Sequence, residues 1–272
     1  MNILICVKQV PDTTEIRIDP EKNVLIREGV PSVLNPFDGY ALEAAARIKD
    51  DDPDTKLVAL SMGPPQAEAA LKECLSIAAD KAYLVSGAAF GGSDTLATSY
   101  ILSQAVKKLE EIEGKFDAIF CGKQAIDGDT AQVGPELAEH LDYPQVTYGL
   151  QAKATDSTLQ VKKETEGGYE VVEVKTPCLV TFTKPSWEVR YPTIPRKLAA
   201  ERTDITVIGV DDLPDIDRTI IGLKGSPTRV KRTFVPQRQK DGIIIRKEKA
   251  DDAAKELLNL LYDAGKLARK EG

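Results

Sequence analysis

The 272-residue chain has a single histidine, His140, and only four cysteines, Cys6, Cys74, Cys121 and Cys178, all far apart. One imidazole excludes multi-histidine metal centres and leaves little material for a Ser-His-Asp triad. With no CxxC pair, neither a zinc site nor a disulfide framework is indicated, and the thiols read as reduced and buried. No apolar run reaches the length of a membrane span, and the opening MNILICVKQV is too short and polar for a signal peptide. The expected setting is the cytoplasm, without membrane insertion. GxGxxG and the P-loop pattern GxxxxGK(S/T) are both missing, which removes the ordinary dinucleotide and P-loop readings. So thin a stock of nucleophiles and acid–base groups points to a chain that binds something rather than one that does covalent chemistry alone.

What is present is an ordinary globular composition with an uneven charge. Hydrophobic residues make up 42% and charged residues 29%, enough apolar material for a real core. The net charge of −7 conceals a basic stretch, residues 224–249, with nine Lys/Arg against Asp241 and Glu248. No aromatic interleaving or nucleic-acid motif accompanies it, so no nucleic-acid partner is expected. An arm on an acidic partner surface and a solvated tail both fit these charges.

The first 150 residues alternate strand and helix. Apolar runs at 2–7, 56–60, 81–85, 116–121 and 145–148 predict strands. Between them lie helical patterns, of which the first opens at Asn35-Pro36 and buries Ala41, Leu42, Ala45, Ala46 and Ile48. Asparagine suits the N-cap and proline the first turn. This alternation predicts an α/β fold, a mostly parallel wound sheet flanked by helices. An antiparallel hairpin is expected where 158–163 and 169–174 flank Thr165-Glu166-Gly167-Gly168, followed by a β-rich run at 178–183. From 184 to 239 prolines recur and periodicity fades, which predicts an extended arm, and 251–270 reads as an amphipathic C-terminal helix. The division expected is a nucleotide-binding domain over 1–210 and a partner-contacting arm and helix over 211–272.

In a parallel open sheet, ligands bind outside the carboxyl ends of the strands. The loops expected there hold Cys6, Val7 and Lys8, then Met62 and Gly63, then Gly91 and Gly92. The fourth is a long polar connection of Lys123, Gln124, Ala125, Ile126, Asp127, Gly128, Asp129, Thr130, Ala131, Gln132, Val133 and Gly134. Its glycines let backbone amides approach a ligand, and the helix beyond can offer N–H groups to a phosphate. Asp127 and Asp129 fit as turn and capping residues or as partners of ribose hydroxyls.

Six separated segments, in order, resemble the electron-transfer flavoprotein β-subunit family. They are CVKQVPD at 6–12, Asn35-Pro36-Phe37-Asp38 with ALEAA at 41–45, SMGP at 61–64, GKQAID at 122–127, the hairpin with PCLVT at 177–181, and GLKGSPT at 222–228. The resemblance implies a heterodimer with an α-subunit that carries the electron-transferring FAD. It also implies nucleotide contacts at Cys6, Asn35, Pro36, Phe37, Asp38 and Met62 and along Lys123 to Gly134. The loop DGDTAQVGP at 127–135, with TTEIRIDP at 13–20 and REGVP at 27–31, is similar to the electron-bifurcating members of anaerobes. That similarity implies FAD in the site, with AMP as the alternative. It further implies NADH as electron donor, an acyl-CoA dehydrogenase-type partner and a low-potential acceptor such as ferredoxin or flavodoxin. Tyr191, Ile194, Pro195, Arg196 and Lys197 lie in a stretch that resembles the family's partner-recognition loop, with Ile194 as its apolar anchor. Internal packing of Ile194 is the competing expectation. An adenine-nucleotide-sensing α/β module is the reading from another class.

Overall fold

A computed structural model describes residues 1–12, 17–18, 25–26, 31–231 and 242–268. It separates into two compact units, Met1–Thr233 and Phe234–Gly272. In chain order the strands of the first unit are β1 (Asn2–Val7), β2 (Gln9–Pro11), β3 (Arg17–Ile18), β4 (Leu25–Ile26), β5 (Ser32–Leu34), β6 (Lys56–Met62), β7 (Lys81–Val85), β8 (Ala118–Gly122), β9 (Gln145–Thr155), β10 (Thr158–Thr165), β11 (Gly168–Lys175), β12 (Cys178–Phe182) and β13 (Thr206–Ile208). Its helices are α1 (Pro36–Asp51), α2 (Glu68–Ile77), α3 (Thr95–Glu113), α4 (Val133–Leu141), α5 (Ile194–Glu201) and the short α6 (Gly222–Gly225).

Nine of these strands form one sheet in the order β11-β10-β9-β12-β8-β1-β6-β7-β13. From β9 to β13 every neighbouring pair is parallel, and β9, β10 and β11 run on as an antiparallel extension. The mostly parallel sheet with an added hairpin is therefore as the sequence predicts. Alternation along β1 explains the two cores. Ile3, Ile5 and Val7 face the side covered by α1 and α2, while Leu4 and Cys6 face α3 and α4. All four cysteines are buried and unbridged. No helix among the described residues is long and apolar enough to cross a membrane.

The chain leaves β1 for β6 on one side, continues to β7, and returns to β8 on the other side of β1. The strand order reverses between β1 and β8, and such a reversal opens a crevice at the carboxyl edge.

Three expectations need correction. The segment 184–239 is not simply extended, because α5, β13 and α6 interrupt it. These pieces are too short to show periodicity, and β13 owes its strand geometry to parallel pairing with β7. The strand expected at 145–148 runs on to Thr155, because the break at Tyr148-Gly149 is a register shift against β12 rather than an end. Asn35 occupies the N-cap position of α1 but makes no side-chain cap; its amide is used elsewhere. In the second unit α7 (Ala250–Asp263) forms within the predicted helical stretch, with Lys247 paired to Glu256. Most of 13–20 and 27–31, and residues 232–241 of the basic stretch, lie outside the described residues.

Candidate functional site

The carboxyl ends of β1 and β8 are joined by one buried carboxylate. Asp38, in the first turn of α1, accepts the Lys8 amide at 2.7 Å on Oδ2 and the Gly122 amide at 3.0 Å on Oδ1. Neighbouring Asn35 reaches the loop after β8. Its Nδ2 donates to the Gln124 carbonyl at 2.8 Å, and its Oδ1 accepts the Ile126 amide at 3.2 Å. Both side chains are buried, so each spends its polar capacity on backbone groups that would otherwise lack partners. The Asn-Pro-Phe-Asp element thus sets the loops in place rather than presenting its own Asn and Asp outward. Gly122 is required here: an added Cβ would lie 2.7 Å from the Phe37 carbonyl carbon and 2.8 Å from the Asp38 nitrogen.

Burial pushes the Asp38 carboxyl up to about 7, although Asn35, the two amides and the Lys8 charge all pull it down. Lys8 itself turns its ammonium to Asp127, 2.7 Å away, which cancels the charge that would repel an anion. Asp129 accepts from the Gln124 side chain at 2.7 Å. Neither aspartate caps α4, whose N-terminus carries no side-chain cap. Asp129 and Ala131 both adopt positive φ, 55° and 54°, conformations that L-residues hold only under constraint. The Gly128 and Asp129 amides donate back to the Ala125 carbonyl at 3.3 and 2.9 Å, and the loop then leads into a helix start without a side-chain cap, a setting that suits an anionic group.

The structure brings most of the expected residues together. Cys6 and Val7 lie at the end of β1, but their side chains are buried in opposite cores, which leaves only their backbone for the rim. Met62 is half-buried one residue beyond the Val7–Ser61 pair, and the Gly63 amide donates to the Val85 carbonyl at 3.0 Å. Asp127, Gly128, Asp129, Thr130 and Gln132 are exposed. Gly134 is buried, and a Cβ on it would come within 2.7 Å of the Thr181 methyl, so it lets α4 pack closely on β12. Lys123 places its ammonium 5.3 Å from the Phe37 ring and 5.5 Å from that of Tyr148. Pro36 is exposed beside it. This edge suits an anionic ligand, since the start of α4 carries no side-chain cap.

The stretch 190–197 lies apart from this rim and is stapled at both ends. Arg190 donates to Glu43 at 2.7 Å and to Asp50 at 2.6 Å, both on α1. Arg196 donates to the Leu75, Ser76 and Ala79 carbonyls at the end of α2. Its guanidinium is therefore engaged within the chain. Between the staples Tyr191 is 91% exposed and Ile194 77% exposed, so Ile194 does not pack internally. Pro195 and Lys197 fall in the first turn of α5, which Thr193 caps. Glu43 and Arg190 both lie in segments that resemble the family, but nothing in the sequence reveals that they pair. A charged residue on an otherwise apolar α1 face was the available signal for Glu43.

A profile described as "Electron transfer flavoprotein domain" matches residues 22–213. The chain is 49% identical over 256 residues to the "Electron transfer flavoprotein subunit beta" of Megasphaera elsdenii, across 93% of this chain and 94% of that protein. It is 49% identical over 254 residues to the protein of the same name from Clostridium acetobutylicum, across 93% and 95%. It is also 45% identical over 263 residues to the "Caffeyl-CoA reductase-Etf complex subunit CarD" of Acetobacterium woodii, across 97% and 98%.

Proposed function

Because the chain belongs to the electron-transfer flavoprotein β-subunit family, we propose that it binds FAD at the carboxyl edge of its sheet and works beside a flavin-binding α-subunit. In this reading electrons from NADH pass to the α-subunit flavin in the cytoplasm. From there they go to an acyl-CoA dehydrogenase-type partner and to a low-potential acceptor such as ferredoxin or flavodoxin. When bound, FAD supplies the acceptance of a hydride and the onward release of single electrons.

The observation that carries the reading is the Asp38 clamp, which holds the ends of β1 and β8 together at the point where strand order reverses. The chain's own residues bind and orient. Asn35 fixes the course of the 124–126 backbone, and the start of α4, which carries no side-chain cap, offers its amides to the phosphates. Lys8 neutralises Asp127 so that the loop tolerates an anion. A Cβ on Gly128 would meet nothing within 4 Å, so glycine is not demanded there by the fold.

For the partner dehydrogenase the contact proposed is Ile194, presented with Tyr191 between the Arg190 and Arg196 staples. One buried isoleucine is worth about 2 kcal/mol to such a docking. Its rigid presentation lowers the entropy lost on association.

The test is co-expression with the α-subunit followed by counting flavin and AMP in the purified pair. Two flavins per heterodimer are expected. One flavin with one AMP would replace the FAD reading by that of a single-flavin shuttle.

A further inference from the structure

One residue at the rim has an unusual backbone conformation. Tyr148 lies within β9 at φ 59°, a left-handed conformation that is a true outlier for a bulky side chain. Strict alternation from buried Val146 would send its ring into the core. Instead the register of β9 against β12 shifts between Val180 and Phe182, and the ring is 41% exposed. Such bulges re-aim single side chains, and they concentrate near binding sites.

Several contacts hold the distortion in place. The Tyr148 amide donates to the buried Thr181 hydroxyl at 3.2 Å, and the Thr183 amide donates to the Gly149 carbonyl at 3.0 Å. Gly149 allows the close approach, since a Cβ there would lie 3.2 Å from the Thr181 carbonyl oxygen and from the Val180 side chain. The product is an exposed aromatic ring that shares the Lys123 ammonium with Phe37. Backbone strain that surrounding structure sustains in this way is characteristic of ligand contacts.

We propose that Tyr148 is a further residue of the cofactor site, with its ring stacked on the planar tricycle of the flavin. This rests on the FAD reading above. The choice of the flavin end over the adenine end comes from strand spacing. Between Met62 at the end of β6 and Tyr148 on β9 lie four strand intervals, β6-β1-β8-β12-β9. At about 4.8 Å each they span roughly 19 Å. A mononucleotide seated at the β6 end does not reach that far, and a dinucleotide does. Tyr148 is thus a contact that FAD makes and AMP does not.

The experiment titrates the full chain with FAD and, separately, with AMP, for the wild type, Tyr148→Gly and Tyr148→Phe. Glycine takes a φ of this sign without strain, so the fold is kept, and an unfolding midpoint verifies it. Tyr148→Gly should weaken FAD about tenfold while AMP changes less than twofold. Tyr148→Phe should hold FAD with near wild-type affinity but brighter flavin emission, because a stacked phenol quenches flavin fluorescence by electron donation and a phenyl ring does not. Equal weakening of FAD and AMP would overturn the inference, as would unchanged FAD affinity with unchanged emission. A wild-type chain that binds AMP but not FAD, or neither, would instead overturn the FAD reading and this inference with it.

Discussion

Replacing Asp38 by asparagine separates the forces acting on the clamp. Burial holds the wild-type carboxyl at about 7, above its ordinary 3.8, against the pull of Asn35, the Lys8 and Gly122 amides and the Lys8 charge. A carboxyl whose folded value lies above its unfolded one binds its proton more tightly in the folded chain. Its contribution to stability is complete below pH 3.8 and is lost as pH rises through about 7. Asparagine has no proton to release, so wild-type stability should fall relative to Asp38→Asn across that window and run level above pH 8. Three pH units at 1.36 kcal/mol each put the fall at about 4 kcal/mol as a ceiling. A pH-independent cost is superimposed. Asparagine offers one carbonyl oxygen to two buried amide donors, and the orphaned donor costs about 1–3 kcal/mol. Urea unfolding of both chains from pH 4 to pH 8.5, compared at a common slope, measures the difference. If the wild-type advantage grows from pH 4 to pH 7, the hydrogen bonds outweigh burial and the reasoning about this carboxyl is wrong.

Gly122→Ala should destabilise the chain by about 1–3 kcal/mol, since its new methyl meets backbone of α1 that cannot swing away. It should also lower nucleotide content after gel filtration, and an unchanged melting temperature would refute the close approach. At the opposite edge of the sheet, burial raises the Glu113 carboxyl, but Lys56, Tyr83 and Lys81 bring it down to about 2. Glu113→Gln should therefore cost about 3 kcal/mol at neutral pH, and the gap should close as pH falls from 4.5 toward 2, as acid unfolding would register. Arg196→Ala frees three carbonyls at the end of α2 and should speed hydrogen exchange around 192–198 while 118–122 exchanges as before. Ile194→Ala should weaken docking to the partner dehydrogenase about tenfold or more without altering cofactor content, with surface plasmon resonance as the check.

The sheet was legible because a doubly covered parallel strand writes itself as an apolar run, as at 2–7 and 178–182, and its position in the chain order implies the carboxyl-edge site. What periodicity could not convey was the use of polar side chains. Asn35 in front of Pro36 looks like a helix cap, and only the return of the chain from β8 shows that its amide serves the 124–126 loop instead. Tyr148 was equally hidden, since a residue in a β-rich run carries no mark of positive φ beyond the glycine that follows it. Three-residue β13 lacks the length for a pattern and takes its form from β7. Arg196 was expected to face a partner, yet carbonyls of a helix more than a hundred residues earlier claim its guanidinium.

The most direct test of the account is a density map of the cofactor-loaded complex with its α-subunit. Cofactor density should cross the carboxyl edge, passing Lys8, the Asp38 clamp and the 123–134 loop, with phosphates against the start of α4. Density lodged elsewhere, with this edge closed over by the chain's own side chains, would contradict it.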